Sequence, residues 1–390
     1  MVVERALRRA APHGLLEAVR ETLTAHYAAE SVDLLMADYA MTILQPVSAL
    51  PYTVDPIPVH TSAPGRAFGA QEPYVETADG TDPVTVHLPI SVRGDRIGIL
   101  TVVLPADSYD RVTARELEDV AEVLGHAIVV AERDTDVYLQ ARRADRLTLA
   151  AEMQWQLLPG RSCTRPEYEL GAQLEPAYAV HGDNFDWSTS ADHLTLTVSN
   201  GMGEGIEAAL LTNLAINALR NARRAGLSLA DQAFLADQAI YGQYQGAVHL
   251  SALLLRFDLV TGETEVIDAG SPKMWRLREG KAEPMELEAQ LPLGMFEDTI
   301  YTAQRFQAEP GDRLLFVSDG VYDVTSPAGE RYSERALVRA MTNTRLLPPS
   351  QVPRAVLQEL SGHRGPIDAE DDAMVLCLDW HGRPEPAPEP

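Results

Sequence analysis

The sequence predicts an α+β protein with an amino-terminal α/β domain, a helical linker and a larger carboxy-terminal domain of strands and helices. The chain has 390 residues, a length that suits two or three domains. Its hydrophobic content of 45% is ordinary for globular proteins and argues against general disorder. The third observation is a change of pattern near residue 165, where alternating strands and long apolar helices begin.

The first elements are a helix and a pair of strands. Residues 14–29 carry apolar side chains at helical spacing, among them Leu15, Val19 and Leu23. Residues 32–47 predict two strands joined by a turn. The Pro- and Gly-rich stretch that follows predicts a loop with room for a short helix.

A hairpin and a helix complete the amino-terminal pattern. The runs 84–92 and 96–104 are rich in β-branched residues and flank Arg-Gly-Asp, which predicts a β-hairpin. Thr113, with Glu116 three residues later, predicts a capping box that opens the next helix.

This order of helix, strands, variable loop, antiparallel hairpin and helix resembles the GAF domain over residues 10–133. The resemblance implies a GAF-like sensor domain that binds an unknown small molecule or protein. No residue in the segment identifies that ligand, and a generic α+β domain is the alternative interpretation.

Residues 134–158 continue a helical pattern until Pro159. Their polar and apolar residues alternate at near-heptad spacing, which predicts a signalling helix able to pair in a homodimer. A plain connecting helix is the alternative.

The charge excludes several classes of partner. The chain carries 32 Lys and Arg against 57 Asp and Glu, a net charge of −25. Nucleic acid and anionic membranes would both be repelled. No run approaches the ~20 apolar residues of a membrane span, and the first residues lack a signal-peptide core, so we expect a cytoplasmic protein. The two cysteines exclude a disulfide framework and a four-cysteine zinc site.

The carboxy-terminal part, 160–380, alternates strand and helix patterns, and the Pro-rich tail 381–390 predicts disorder. Strand-like patterns occur at 168–177, 192–200, 248–270, 313–324 and 371–380, and helical patterns at 206–226, 228–243 and 350–362.

Acidic or Gly-rich motifs stand at the ends of these strands. They lie at 181–186, 199–205, 318–320 and 370–372. Carboxylates gathered at strand ends can bind hard divalent cations such as Mg²⁺ and Mn²⁺. A pair of such ions lowers the pKa of a shared water and offsets charge on a phosphoryl group.

With these motifs in place, residues 145–380 resemble the SpoIIE-type branch of the PPM protein serine/threonine phosphatases. The resemblance rests on the segments MQWQLLP, LEPAYAVHGDNFDW, DAGSPKMWRL, LPLGMF, EPGDRLLFVSDGVYDVTSPAGERY and EDDAMVLCL. It implies an α-β-β-α sandwich with two Mn²⁺ or Mg²⁺ ions between the sheets. It also implies a substrate such as a phosphorylated anti-anti-sigma-factor-like protein in partner-switching signalling.

The resemblance assigns site residues by position. Asp183, Asp319 and Asp371 would bind metal through their carboxylates, and Gly201 would bind it through its backbone carbonyl. Asp183, Asp319 and the residue at the bridging position, Asn200, would form the catalytic set. Asp372 is a neighbour that need not touch metal. Asp186 receives no metal contact, since a structural acid at a strand turn is equally consistent with the sequence.

The chain departs from the family pattern at the bridging position. The family has an aspartate where this chain has Asn200, and a neutral amide is a poor bridge between two cations. Glu204 replaces a family histidine; it could restore the charge or stabilise a helix N-terminus. His181 replaces a glycine of the family pattern. It could add a ligand, clash with its neighbours, or be an exposed strand residue. Ser271 stands where the family has a histidine after Gly270.

Two interpretations follow from this departure. One is a phosphatase with reduced or unusual metal dependence, controlled by the amino-terminal sensor. The other is a pseudophosphatase that retains the fold in order to bind a partner. The first predicts weak Mn²⁺-dependent activity that Asn200→Asp would raise.

Overall fold

The computed structural model describes residues 2–49, 56–76, 83–144, 147–175, 180–270, 272–332, 334–365 and 369–383. The chain divides into two compact units, Met1–Arg146 and Leu147–Pro390. In the described part of the chain, no helix is both long and apolar enough to cross a bilayer.

The amino-terminal unit is a mixed sheet-and-helix domain. Its helices are α1 (Val2–Arg9), α2 (Leu15–Tyr27), α3 (Ala63–Ala70), α4 (Arg111–Ala131) and α5 (Val137–Ala141). Its strands are β1 (Ser31–Ala37), β2 (Ile43–Pro46), β3 (Ile57–Pro58), β4 (Tyr74–Glu76), β5 (Val84–Val92) and β6 (Asp95–Leu104).

These strands form one antiparallel sheet in the order β3-β2-β1-β6-β5-β4. One face of the sheet packs against α1, α2 and α4 through a large apolar core, and the other packs against α3 around Phe68. The predicted hairpin is β5 and β6. This architecture is compatible with a sensor domain.

Two sequence expectations in this unit are wrong. The cap of α4 is Asp110, whose carboxylate accepts from the backbone N–H groups of Val112 and Thr113, so the helix begins before the predicted Thr113 box. A continuous helix over 134–158 is also wrong. The segment contains α5 and, in the second unit, a separate helix that Thr148 caps by accepting from the Ala151 N–H.

The carboxy-terminal unit contains the remaining elements. Its helices are α6 (Leu149–Leu157), α7 (Gly205–Arg224), α8 (Leu229–Tyr244), α9 (Asp319–Tyr322), α10 (Glu334–Asn343) and α11 (Val352–Arg364). Its strands are β7 (Ser162–Thr164), β8 (Tyr168–Glu175), β9 (Asn184–Thr189), β10 (His193–Gly201), β11 (Leu250–Asp258), β12 (Glu263–Ala269), β13 (Lys273–Arg278), β14 (Lys281–Pro284), β15 (Gln304–Gln307), β16 (Arg313–Val317) and β17 (Ala373–Trp380).

Two antiparallel sheets pack face to face in this unit. One has the order β15-β12-β11-β10-β9 and the other the order β14-β13-β16-β17-β8-β7. Alternate residues of both sheets, including Phe185, Leu196, Leu255 and Leu376, form the core between them. Helices α7 and α8 cover the outer face of the first sheet, and α10 and α11 cover the second. The predicted α-β-β-α sandwich is therefore confirmed.

The sequence pattern does not predict β9 as a strand, although the first residues of β9 belong to the acidic motif at 181–186. Its outward side chains are polar because they face polar groups on α7, which hides the alternation expected of a half-buried strand. The predicted strand 313–324 ends earlier, at Val317, and α9 follows. Of the tail 381–390, residues 384–390 lie outside the described residues, whereas the His381 N–H donates to the Glu167 carbonyl.

Candidate active site

The acidic motifs meet at one end of the sandwich because of strand register. In the first sheet Asn184 of β9 pairs with Ser199 of β10, so Asp183 and Asn200 lie at the same end. In the second sheet β16 and β17 are antiparallel neighbours, and the Met374 N–H donates to the Ser318 hydroxyl at 3.0 Å. Four segments that are far apart in sequence therefore converge.

Asp183 is fully buried, and neither of its carboxylate oxygens has a hydrogen-bond partner of good geometry among the described residues. Burial raises the pKa of the Asp183 carboxyl well above its usual value. The negative charges of Asp372, Asp319 and Asp371 raise the pKa further, and the nearby Ser318 hydroxyl opposes them. An ionised carboxylate here lacks the compensation that buried charges ordinarily have.

Asp372 holds the turn that carries Asp183. Its Oδ2 accepts from the backbone N–H groups of His181 at 2.9 Å and Gly182 at 3.1 Å, and from the Gln154 amide at 2.8 Å. The same amide nitrogen donates to the Asp183 backbone carbonyl at 3.1 Å. With these donors Asp372 positions the turn of a neighbouring segment, in agreement with its assignment as a neighbour of the site.

Asn200 contacts one of the carboxylates predicted to bind metal. Its amide NH₂ donates a hydrogen bond to Asp319 Oδ1, which also accepts from the Gly320 N–H at 3.0 Å. The residue at the bridging position therefore occupies an oxygen that a cation would use. An aspartate at the same place would repel Asp319 unless a cation lay between them.

Asp371 and His181 lie at the exposed side of the site. The His181 Nδ1 atom lies 3.6 Å from Asp371 Oδ1, and both side chains are partly exposed. Burial raises the pKa of the Asp371 carboxyl, Asp319 raises it further, and His181 lowers it. His181 therefore contacts one of the predicted ligands.

Two glycines allow the strand ends to approach closely. A Cβ added at Gly201 would lie 2.8 Å from the Thr212 hydroxyl oxygen and 3.3 Å from the Gly182 carbonyl oxygen. Gly182 has a φ of +91°, which favours glycine, and its carbonyl accepts from Thr212 at 2.8 Å. This packing fixes the backbone next to Asp183 and Asn200.

The structure shows the surroundings of two further positions whose roles the sequence left open, Asp186 and Glu204. Asp186 is buried and ion-paired with Arg220 and Arg223, which supports a structural role. Glu204 is the exposed N-cap residue of α7 and makes no side-chain capping hydrogen bond, so its position matches the helix-terminus alternative. Ser271, at the family histidine position, lies outside the described residues.

A cleft of about 620 Å³ opens beside Asp319 and Asp371. Its wall also includes Asp323, Glu370 and Arg364, together with the segment around Pro327. The site therefore has a buried acidic part, which contains Asp183, and an open part that a solute can enter.

Comparison with known proteins identifies the domain. Residues 190–381 match the family model described as Stage II sporulation protein E (SpoIIE). This segment belongs to the SpoIIE family. The match includes Asn200, Gly201, Asp319 and Asp371, whereas Asp183 lies before its first residue.

The relatives of this SpoIIE-family domain are distant. Protein IcfG of a Synechocystis species is 21% identical over 294 residues, which cover 66% of this chain and 46% of that protein. Phosphoserine phosphatase RsbU of Bacillus subtilis is 21% identical over 228 residues, 58% of this chain and 67% of that protein. The chain thus matches less than half the length of IcfG. The domain is a PPM-type phosphatase domain by these relationships.

A solved structure agrees on the fold. The RsbU and RsbW domains of a Mycobacterium tuberculosis protein superpose with a TM-score of 0.50 and 23% identity, covering 57% of this chain and 63% of that one. This likeness supports the sandwich fold and carries no residue roles.

The residues of the SpoIIE-family domain fit a divalent cation in charge and in donor type. Asp183 offers unpartnered carboxylate oxygens, and its carboxylate neighbours need a positive charge. In the side-chain arrangement of the described residues, however, no three His, Cys, Asp or Glu side chains form a metal-binding group. The Asn200 hydrogen bond would have to open before Asp319 could ligate through Oδ1.

Sequence reasoning missed Gln154 as a site residue. This glutamine stands in the segment MQWQLLP at the end of α6, on which the family resemblance partly rests, but the sequence assigns it no role. A buried amide within a segment shared with a family was the available signal, and its two acceptors are far away along the chain.

Proposed function

We propose that the carboxy-terminal unit is a metal-dependent protein serine/threonine phosphatase, a hydrolase of phosphate monoesters. The observation that carries the proposal is the buried Asp183. Its oxygens have no hydrogen-bond partner of good geometry among the described residues, and the negative charges of three neighbouring carboxylates raise its pKa. Such an arrangement is costly unless a cation or a proton offsets the charge.

In this proposal Asp183, Asp319 and Asp371 hold Mn²⁺ or Mg²⁺, and the Gly201 carbonyl supplies another oxygen. A bound cation would lower the pKa of a water and offset charge on the phosphoryl oxygens. Asp372 and Gln154 keep the turn before β9 in place. The Asn200 hydrogen bond to Asp319 competes with the cation, so we expect weaker metal binding than an aspartate would give.

The proposed substrate is a phosphorylated regulatory protein of the anti-anti-sigma-factor type. The relationship to a phosphoserine phosphatase supports a phosphoprotein substrate, and the open cleft beside Asp319 is accessible to a phosphorylated side chain. A cytoplasmic location and a homodimer belong to the same proposal.

The position of α6 supports a proposal that the amino-terminal unit regulates the site. This helix begins directly after the junction between the two units, and its Gln154 contacts both Asp372 and the Asp183 backbone. We propose that the amino-terminal unit is a GAF-like sensor and that its ligand shifts α6, thereby altering the turn that carries Asp183.

A second candidate is a pseudophosphatase that binds a phosphorylated partner without hydrolysing it. The specific observation in its favour is the direct hydrogen bond from Asn200 to Asp319, which satisfies a metal-binding oxygen without metal. Asn200 is thus the residue on which the two candidates differ.

The test compares hydrolysis of p-nitrophenyl phosphate and a phosphoserine peptide, with and without Mn²⁺. We expect weak Mn²⁺-dependent activity in the wild type, none in Asp319→Ala, and an increase of about ten- to a hundredfold in Asn200→Asp, because metal affinity tracks such ligand changes. Asn217→Asp is the matched control, since it makes the same change on the exposed face of α7.

The contrary outcomes are distinct. An inactive wild type with an active Asn200→Asp variant would favour the pseudophosphatase. Equal activity in the wild type and Asp319→Ala would remove the metal assignment altogether.

A further inference from the structure

A single arginine stands among the acids of the cleft wall. Asp319, Asp323, Glu370 and Asp371 contribute carboxylates, and Arg364 contributes the only basic side chain among the described residues that line the cleft. A phosphate monoester entering this cleft would meet four negative charges. It therefore needs a positive group there in addition to any cation held by Asp319 and Asp371.

Contacts of the neighbouring residue His363 fix the end of α11, which carries Arg364, beside the cleft. It is the last residue of α11, where the helix dipole favours a cation. In the same turn, the His363 Nε2 atom lies 2.9 Å from the Glu330 carbonyl oxygen, and its ring packs edge-on against Tyr332 at a centroid distance of 5.3 Å. These contacts fix the end of α11 to the loop that contributes Pro327 and Gly329 to the cleft wall.

The guanidinium of Arg364 has unused hydrogen-bonding capacity. Its Nη2 donates to Glu175 Oε1 at 3.2 Å, and its buried Nε has no partner among the described residues. The side chain is 14% exposed, and Glu175 is more exposed, at 36%. Because the Glu175 carboxylate is in contact with water, it can leave the mostly buried Arg364 at little cost and be exchanged for another anion.

We propose that Arg364 forms the phosphate-recognition subsite of the cleft and binds the phosphoryl group of a phosphoserine or phosphothreonine side chain. The planar guanidinium presents its donors as a fork that matches two phosphate oxygens. Bound phosphate takes the place of the Glu175 carboxylate as the partner of Arg364. The subsite deepens the proposed function, on which it rests for the class of substrate.

The experiment measures binding, which does not require turnover. A fluorescein-labelled phosphoserine peptide and the same peptide with serine are titrated with the full chain in Mn²⁺ by fluorescence anisotropy. The proteins are the wild type, Arg364→Ala, Arg364→Lys and Glu175→Gln. Arg339→Ala is the matched control, because Arg339 pairs with Glu359 of the same helix α11 but lies outside the cleft lining.

We expect the wild type to prefer the phosphopeptide and Arg364→Ala to lose roughly ten- to a hundredfold of that preference, as for hydrogen bonds to charged groups. Arg364→Lys retains part of it as a point charge. Glu175→Gln strengthens phosphopeptide binding, because the competing carboxylate is gone, and Arg339→Ala leaves binding unchanged. Inorganic phosphate competes with the phosphopeptide in the wild type and about tenfold less well in Arg364→Ala.

The outcomes separate this inference from the phosphatase proposal. A phosphopeptide preference that depends on Arg364, in a protein that does not hydrolyse the peptide, supports the subsite and overturns the phosphatase. Hydrolysis with an unchanged preference in Arg364→Ala overturns the subsite alone. If Arg364→Ala does not fold, unchanged phosphopeptide binding by both Glu175→Gln and Arg364→Lys overturns the subsite.

Discussion

Two aspartates only three positions apart, Asp183 and Asp186, have opposite surroundings although both are buried. Asp186 lies in β9, and its two oxygens meet Arg220 Nη2 at 2.8 Å and Arg223 Nη1 at 2.9 Å. Asp183 directly precedes β9, and its oxygens have no hydrogen-bond partner of good geometry among the described residues. The charges that raise the pKa of Asp183 are the negative charges of neighbouring carboxylates.

The comparison shows that burial alone does not distinguish an acid paired with arginines from one surrounded by other carboxylates, which is the acid we propose to bind metal. Asp186 joins β9 to α7, and Arg220 also donates to the Leu157 carbonyl at 2.7 Å, so the pair fastens the end of α6 as well. Asp183 contributes no comparable bond and raises the energy of the folded protein when it is ionised. We therefore expect removal of the two carboxylates to have opposite effects on stability.

The largest effect is expected at Asp186. Replacing it with alanine leaves two mostly buried guanidinium groups without their partner, which costs about 3–5 kcal/mol when a buried ion pair is broken. Urea unfolding of the carboxy-terminal unit measures the loss. Glu207→Ala, which removes an exposed carboxylate from α7, is the control and should change little. If Asp186→Ala lowers the free energy of unfolding by less than about 1 kcal/mol, the ion pairs of Asp186 are as weak as those on protein surfaces.

When metal is removed with EDTA, Asp183→Asn should raise the free energy of unfolding, whereas Asp186→Ala lowers it. Because the pKa of Asp183 is raised in the folded protein, its ionisation lowers the free energy of unfolding as pH rises from about 4 through the folded-state pKa. The variant cannot ionise, so it should exceed the wild type by about 1–3 kcal/mol at pH 7. The difference should vanish below pH about 4.

Mn²⁺ should reverse this order. The wild type gains stability with added Mn²⁺ because the folded protein binds the cation, and Asp183→Asn gains less. Thermal unfolding over a Mn²⁺ series at pH 7 measures both effects. A variant that is less stable than the wild type at pH 7 in EDTA would mean that Asp183 has a structural partner like that of Asp186.

The strand ends could be predicted from sequence, but most of the partners of these acids could not. Acidic and Gly-rich motifs at the ends of apolar runs indicate that Asp183, Asn200, Asp319 and Asp371 stand at strand ends. The sheet register gathers those ends. The arginines that pair with Asp186 lie 34 and 37 positions away, on a different helix. Helical periodicity does not reveal which side chain lies opposite a given strand residue.

The helix predicted over 134–158 shows the same limit. Its periodicity continues across the junction at Arg146, yet Tyr138 is buried in the first unit, where its hydroxyl donates to the Pro12 carbonyl at 2.8 Å. Thr148 then caps a new helix. Local spacing predicted one continuous helix, because it does not register the tertiary contacts that end the first helical piece.

The smallest loss of stability is expected for Gln154→Ala. This change concerns the turn that carries Asp183 and leaves the ion pairs of Asp186 in place. Gln154→Ala removes one donor to Asp372 Oδ2 and a donor to the Asp183 carbonyl, at a cost of about 1 kcal/mol. We expect Mn²⁺ affinity to fall by about tenfold, as when partners of metal ligands are lost. Gln156→Ala is the control, since this neighbour on α6 is exposed and bonds Glu152.

Calorimetric titration with Mn²⁺ gives the affinity, and urea unfolding gives the stability, so the two consequences can be separated. Equal Mn²⁺ affinity in Gln154→Ala and Gln156→Ala would contradict a positioning role, even if stability fell. If affinity falls in Gln154→Ala but not in Gln156→Ala, α6 acts through the turn that carries Asp183. Asp186 would then maintain the scaffold, while Asp183 would depend on a neighbouring helix for its position.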